Sequence, residues 1–357
     1  MRVFCLSLQN KPKLYIAMRE LHPAKIDVAV LLLFFNRPST FRLVFDEVRK
    51  ARPSKLFLYQ DGPRSDKDLP GIAECRAIAE QIDWECDVHR MYQEKNVGCD
   101  PSEYISQKWA FSIVDKCIVL EDDDQPSQAF FPFCKEMLDR YEHDDRISMV
   151  AGFNVDEVTP DVPYSYFFTS ACSIWGWASW RRVIDKWDGS YSFLDDEFAC
   201  RQLESLIKAR GVRSNFMKIC RDHKASGKEY YESIFWAYML MNNGLAVMPT
   251  HNLISNVGAT ADSTHYGALR TMPKRLQRLF QMKYFEIDFP LVHPTHVMEY
   301  AEYKDHFYKV NCWGHPWIKI GRSMEELAYN LAEGNFSVIV RSLSRRINKW
   351  MGKEKFS

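Results

Sequence analysis

The stretch CIVLEDDDQPSQAFFPFC, residues 117–134, sets four carboxylates side by side. Glu121, Asp122, Asp123 and Asp124 follow directly on the apolar run Cys117-Ile118-Val119-Leu120. Adjacent carboxylates repel one another, and none enters a low-dielectric site cheaply without a cation or a hydrogen-bond donor. Hard oxygen ligands at a strand end suit Mg2+ or Mn2+, which take one or two carboxylates and complete their shell with substrate phosphates. A solvated acidic turn is the plain alternative. A second chemical reading takes Asp122-x-Asp124 as an aspartyl-phosphate phosphatase element with Asp122 as nucleophile. That chemistry wants a small hydroxyl residue where this chain has Pro126, and a later acidic pair that the sequence does not offer convincingly.

The elements that must carry these groups alternate along the chain. DVAVLLLFFNRP (27–38) reads as a buried strand closed by Asn36 and Arg37. STFRLVFDEVRKA (39–51) follows with Phe41, Val44, Phe45 and Val48 at helical spacing. KLFLYQDGP (55–63) is a second strand that ends at Asp61 in Asp-Gly-Pro turn chemistry. Helices are expected over 71–82 and 102–115, a third strand over 84–93, and the fourth strand leads into the carboxylates. The alternation predicts an α/β chain whose mostly parallel sheet is flanked by helices. Ligands of such sheets bind outside the carboxyl ends of the strands. Asn36-Arg37, Asp61 and Asp122-Asp123 are therefore expected on one crevice. Further on, 228–244 reads as a helix and 245–265 as a strand followed by a polar loop.

Composition limits the rest. The 357 residues are 46% hydrophobic and 26% charged, which suits a packed globular chain and not a disordered one. Lys plus Arg balances Asp plus Glu at 47 each, so no overall field argues for nucleic acid. Ten scattered cysteines without metal spacing point to reduced thiols, and no segment reaches the roughly 18 unbroken apolar residues of a membrane span. The opening segment makes a poor signal peptide, so a soluble, cytoplasmic protein is expected.

FFNRP, YQDGP, KNVGC, VLEDDDQPSQAFF, WGWASWRR and NLISNVGATADSTH occur in this order over roughly residues 26–266. In that arrangement the chain resembles the GT-A fold glycosyltransferases of bacterial surface-polysaccharide biosynthesis and, more distantly, the N-acetylglucosaminyltransferase I family. The resemblance implies an inverting, metal-dependent transferase moving a sugar from a nucleotide-sugar, most simply a UDP-sugar, to a glycan or lipid-linked acceptor. It implies Asp123 as ligand to Mn2+ or Mg2+, Asp122 at the ribose or sugar, and Glu121 in support. By position, Asn36 and Arg37 would meet the nucleotide or diphosphate, Asp61 the base, and Lys108 the donor phosphates, with Asn96 and Gly98 in a turn beside them. His265 is implied as a second metal ligand.

An inverting transfer needs one general base for the acceptor hydroxyl. In the relatives that base opens a helix before an Asn-Gly turn, which here is EYYESIFW and its Glu232. The flanking Trp is Tyr and the acid is Glu, so Asp195 and Asp196 in YSFLDDEF compete for the role, and a sugar-nucleotide binder without catalysis is the alternative. Trp175, Gly176 and Trp177 offer either a flat surface for a sugar or core packing. The expected organisation is an N-terminal extension (1–25), the GT-A domain (26–270) and a C-terminal extension (271–357). Residues 337–357 form a basic amphipathic pattern suited either to packing on the domain or to peripheral contact with the inner face of a membrane.

Overall fold

Nine residues of composition IDVAVLLLF form β1 (Ile26–Phe34), and from Val28 onward every one is buried. A strand covered on both faces is what a parallel sheet with helices on its sides requires. In the computed structural model, residues 21–259 and 272–337, with 339, 340 and 344, are described. Helix α1 (Pro38–Ala51) starts with proline in its first turn, where the missing N–H costs nothing, and buries Phe41, Val44, Phe45 and Val48 as one stripe. It leads to β2 (Pro53–Gln60), then α2 (Leu69–Ala79), β3 (Asp87–Tyr92), α3 (Cys99–Ile113) and β4 (Lys116–Glu121).

These four strands are all parallel, in the spatial order β3-β2-β1-β4. Leu33 pairs with both Tyr59 and Glu121, so the carboxyl ends of β1, β2 and β4 lie level. The chain order reverses between β1 and β4, which opens a crevice at that rim. The α/β architecture, a mostly parallel sheet flanked by helices, is as the alternation predicted.

The sheet grows past β4 by reversal. After the short β5 (Asp124–Pro126), α4 (Phe130–Arg140), β6 (Ile147–Ala151) and β7 (Tyr166–Thr169) comes β8 (Trp177–Trp180), antiparallel to both β4 and β6. Helices α5 (Arg181–Ile184), α6 (Glu197–Leu206), α7 (Arg210–Ser226) and α8 (Tyr231–Met241) precede β9 (Leu245–Pro249), which pairs parallel with β6. A separate ribbon joins β5 to β10 (Ile254–Asn256), setting Asn256 opposite Asp124. The turn before β8 needs glycine: Gly176 has φ +58°, and a Cβ there would stand 2.4 Å from Ile254.

Beyond 271 come α9 (Lys274–Gln277), α10 (Ala301–Val310) and α11 (Pro316–Ala332). The Tyr300 N–H donates to the Phe168 carbonyl of β7 at 2.8 Å, and the Tyr303 ring packs on Phe167 at 4.9 Å between centroids. Met282, Leu291, Tyr303 and Phe307 thus belong to the same core as the sheet. Most of the basic segment 337–357 lies outside the described residues. Among the described residues no helix is long and apolar enough to cross a membrane.

Because Tyr303 is almost fully enclosed and its hydroxyl accepts from the Val155 N–H at 3.3 Å, its loss should be felt by the whole molecule. Tyr303→Ala is expected to cost about 3–5 kcal/mol of unfolding free energy. Urea unfolding followed by tryptophan fluorescence should show one transition displaced as a unit; a separate early transition would mean that the C-terminal segment folds alone.

Candidate functional site

The rim between β1 and β4 surrounds a cavity of about 990 Å³. Arg37, in the turn between β1 and α1, reaches across the switch in strand order. Its guanidinium contacts Asp122 through one terminal nitrogen and Asp123 Oδ2 through the other, the latter at 2.9 Å. The Phe35 N–H donates to Asp122 Oδ2 at 3.2 Å, so backbone and side chain of the first loop both hold the fourth strand's carboxylate. A guanidinium does not release its proton in any ordinary pH range. Burial opposes Arg37's charge, but Asp122 and Asp123 outweigh it and raise its pKa. Burial pushes Asp122 up to about 6, against the lowering pull of Arg37.

Among the described residues the other acids have no such cation. Glu103, Glu121 and Asp124 all stand well above the usual carboxylate range, first because of burial and then because of neighbouring acids: Asp124 for Glu103, Glu103 for Glu121 and Asp123 for Asp124. Asp124 accepts from the Gly176 N–H at 2.8 Å and, weakly, from Asn256 Nδ2 at 3.4 Å. Glu103 Oε2 accepts from Gln107 Nε2 at 3.0 Å. The buried hydroxyls of Tyr59 and Ser102, both on the cavity wall, stand near one another but make no hydrogen bond of good geometry among the described residues. A cavity floor with carboxyls raised by burial and two unused hydroxyls is polar surface kept for a ligand rich in hydrogen-bonding groups.

The structure brings Asn36, Arg37, Asp61, Glu121, Asp122 and Asp123 together on this wall, with Asn96, Gly98 and Trp175 beside them. Asn36 Nδ2 is engaged by Asp68 at 2.7 Å. Each Asp61 oxygen takes two donors: Oδ1 the Gly62 and Val97 N–H groups, Oδ2 Asn96 Nδ2 and the Gly98 N–H, at 2.7–3.1 Å. Asp61 therefore clamps the 96–98 turn, and any contact to a base would have to share those oxygens. Trp175 edges the cavity against Phe280, whereas Trp177 is core, stacked on Phe235.

Other expected residues stand elsewhere. Lys108 is not on the cavity wall: its ammonium donates to the Ile184 carbonyl at 2.6 Å, because α3 turns Ser102 and Glu103 toward the cavity and Lys108 toward α5. Asp195 is exposed and paired with Lys224 at 2.6 Å, and Asp196 caps α6 by accepting from the Phe198 and Ala199 N–H groups. Glu232 opens α8 and is not part of the wall. Glu232 is exposed, yet crowding by the surrounding protein and then Asp100 raise its pKa, and it adds to the field on Cys99 and Glu103. Asp124, the second acid of the phosphatase reading, faces the β5–β10 ribbon and is absent from the wall. His265 lies outside the described residues.

Sequence reasoning passed over Glu103, Tyr59, Ser102, Arg64, Asn256 and Gly258, all on the wall. One signal was present: Ser102, Glu103, Ser106 and Gln107 make a polar stripe on a helix that must cover a sheet. Gly258 is required where it is, since a Cβ there would stand 2.1 Å from Asp123 Oδ2.

The chain matches no protein-family model and no curated protein. Among solved structures it is similar to apo UDP-glucose pyrophosphorylase, with TM-score 0.34 and 8% identity over 65% of this chain and 93% of that one. A resemblance that faint leaves the function to be read from this chain's own residues.

Glu103 supplies a test of the floor. Its folded pKa lies above the ordinary 4.5, so the native state holds the proton more tightly than the unfolded chain. Wild-type stability therefore falls as pH climbs from about that value toward the folded one. Glu103→Gln escapes that loss, so its advantage in thermal midpoint over wild type should widen with pH between 5 and 8. A constant difference across that range would show that Glu103 is not a buried, uncompensated acid.

Proposed function

We propose that this protein is an inverting, metal-dependent glycosyltransferase that takes its sugar from a nucleotide-sugar, most simply a UDP-sugar, and passes it to a glycan or lipid-linked acceptor. The observation that carries the reading is Arg37 astride Asp122 and Asp123 at the point where the strand order reverses, inside a cavity of nucleotide-sugar size. A fork of donors is suited to a diphosphate, which would compete with the two carboxylates for Arg37.

Once a diphosphate draws Arg37 away, Asp122 and Asp123 would present only oxygen donors, which suit Mn2+ or Mg2+. Among the described residues no three His, Cys, Asp or Glu side chains stand together as a metal cage. The fit is thus to an ion held by one or two carboxylates, Asp123 foremost with Asp122 beside it, and by the donor's own phosphates. His265 is the proposed further ligand. An ion held there would supply neutralisation of the charge that builds on the leaving diphosphate. Trp175 offers the sugar a ring edge at the mouth, and Asp61 holds the 96–98 turn against the nucleotide.

Glu232 is the proposed base. Its raised pKa places proton acceptance nearer neutrality than an ordinary carboxylate's, and its exposure leaves it open to an acceptor. Its position off the cavity wall favours the second reading, a sugar-nucleotide binder without transfer.

Binding is checked by thermal shift with UDP-sugars, with and without Mn2+. A ligand at 100 times its Kd stabilises the native state by about 2.7 kcal/mol. Asp123→Ala should remove the Mn2+-dependent part of that shift; an unchanged shift would remove Asp123 as ligand. For catalysis, Glu232→Gln should keep donor affinity while turnover, or donor hydrolysis, falls by roughly 10²–10⁴-fold. Full activity in that variant with loss in Asp195→Asn would transfer the role to Asp195. Binding without any hydrolysis or transfer by wild type would establish the second reading.

A further inference from the structure

Helix α11 is docked the wrong way round for a globular protein. Its polar side faces the body: Arg322 Nη1 donates to Cys312 Sγ at 3.8 Å, Glu325 accepts from the Lys274 N–H at 3.1 Å, and Asn330 is buried. Its apolar side faces out. Trp317 (82% exposed), Ile320, Met324 (67%), Leu327 and Leu331 repeat at intervals of three and four residues, which is one continuous stripe along the helix. After the left-handed Gly334, Phe336 and Val340 are exposed in the same manner. Isolated exposed apolar residues need no explanation, but a contiguous stripe on one element does.

The charge of the adjoining chain tells what covers it. Residues 337–357 carry Arg341, Arg345, Arg346, Lys349, Lys353 and Lys355 against the single Glu354, whereas the whole chain balances at 47 of each sign, so the excess of basic charge is concentrated in this segment. A second copy seated on the stripe would bring two such cationic segments together, and like charges oppose that pairing. Nucleic acid would answer the charge and leave the stripe in water. An anionic lipid surface answers both, since the apolar residues enter the acyl boundary while the basic residues meet the headgroups. We propose that α11, continued by the basic C-terminal segment, is an interfacial anchor that lays this protein on anionic membranes without crossing them. The inference does not depend on the transferase reading, although an acceptor carried on lipid would be brought to the cavity's side of the membrane by it.

Co-sedimentation of the full chain with vesicles of phosphatidylglycerol and phosphatidylcholine tests it, with pure phosphatidylcholine vesicles as reference. Wild type should partition onto the anionic vesicles and far less onto the reference. Ile320→Gln with Leu327→Gln should lower that partitioning by roughly tenfold per position, with thermal midpoint and nucleotide binding unchanged. Raising the salt from 0.1 M to 1 M shortens the screening length from about 10 Å to about 3 Å, so residual binding of the variant should vanish before that of wild type. Equal vesicle binding by wild type and variant would overturn the proposal. So would a wild type that ignores vesicles yet dimerises in light scattering through the same two residues, because the stripe would then belong to a second copy. Nucleotide binding is measured without lipid, so the failure of either reading leaves the other standing.

Discussion

The Arg37 guanidinium between Asp122 and Asp123 is the interaction on which the rest of the site depends. It joins the loop after β1 to the end of β4, the two neighbouring strands between which the strand order reverses. Without a cation there, two adjacent buried carboxylates would face each other in a poorly solvated crevice, and removing one partner of such a cluster is far costlier than the cluster's net contribution to stability. The arrangement is therefore better understood as a charged site held ready than as a device for holding the fold. The fold rests on the apolar strands behind it, from Val28–Phe34 to Ile118–Leu120, all buried.

Around that ion pair, backbone and amide groups answer other acids and share Asp123 with Arg37. Asp124 is answered by the Gly176 N–H, Asp61 by three backbone N–H groups and Asn96, and Asp123 by Asn256 at 3.3 Å. Each link ties a different chain segment to the rim: the turn before β8, the 96–98 turn, and β10. Glycines make the approaches possible, since Gly176 and Gly258 stand where any Cβ would collide. Glu103 and Glu121 are left with little compensation, and the Tyr59 and Ser102 hydroxyls with no well-formed hydrogen bond. Unsatisfied polar groups of this kind cost stability in the empty protein and become favourable when a ligand supplies their partners.

The opposite end of the chain shows the converse arrangement. The core takes up residues as late as Tyr303, Phe307 and Val310, yet α11 turns its apolar stripe outward and its polar side to the body. The molecule thus has two surfaces that water satisfies poorly, one acidic and concave, the other apolar and convex, on elements far apart in sequence.

Strand polarity is what made the rim legible in the sequence. Buried parallel strands read as continuous apolar runs, each run has a carboxyl end, and the polar residues at those ends must share an edge whatever the pairing order. Arg37, Asp61 and Asp122-Asp123 could be brought together on that ground alone, and the polar stripe Ser102-Glu103-Ser106-Gln107 carried a further signal. Only tertiary structure decided the rest. The rotation of α3 about its axis gives the cavity Glu103 and gives α5 Lys108, because packing and not local periodicity chooses which face of a helix meets the sheet. Pairing of β5 with β10 over a long sequence separation sends Asp124 away from the cavity while its neighbour Asp123 stays. Three of the four donors on Asp61 come from a turn more than thirty residues later. Local pattern determines which residues lie at strand ends; contacts between distant segments determine which lone pairs and charges remain free there, and it is the free ones that do chemistry.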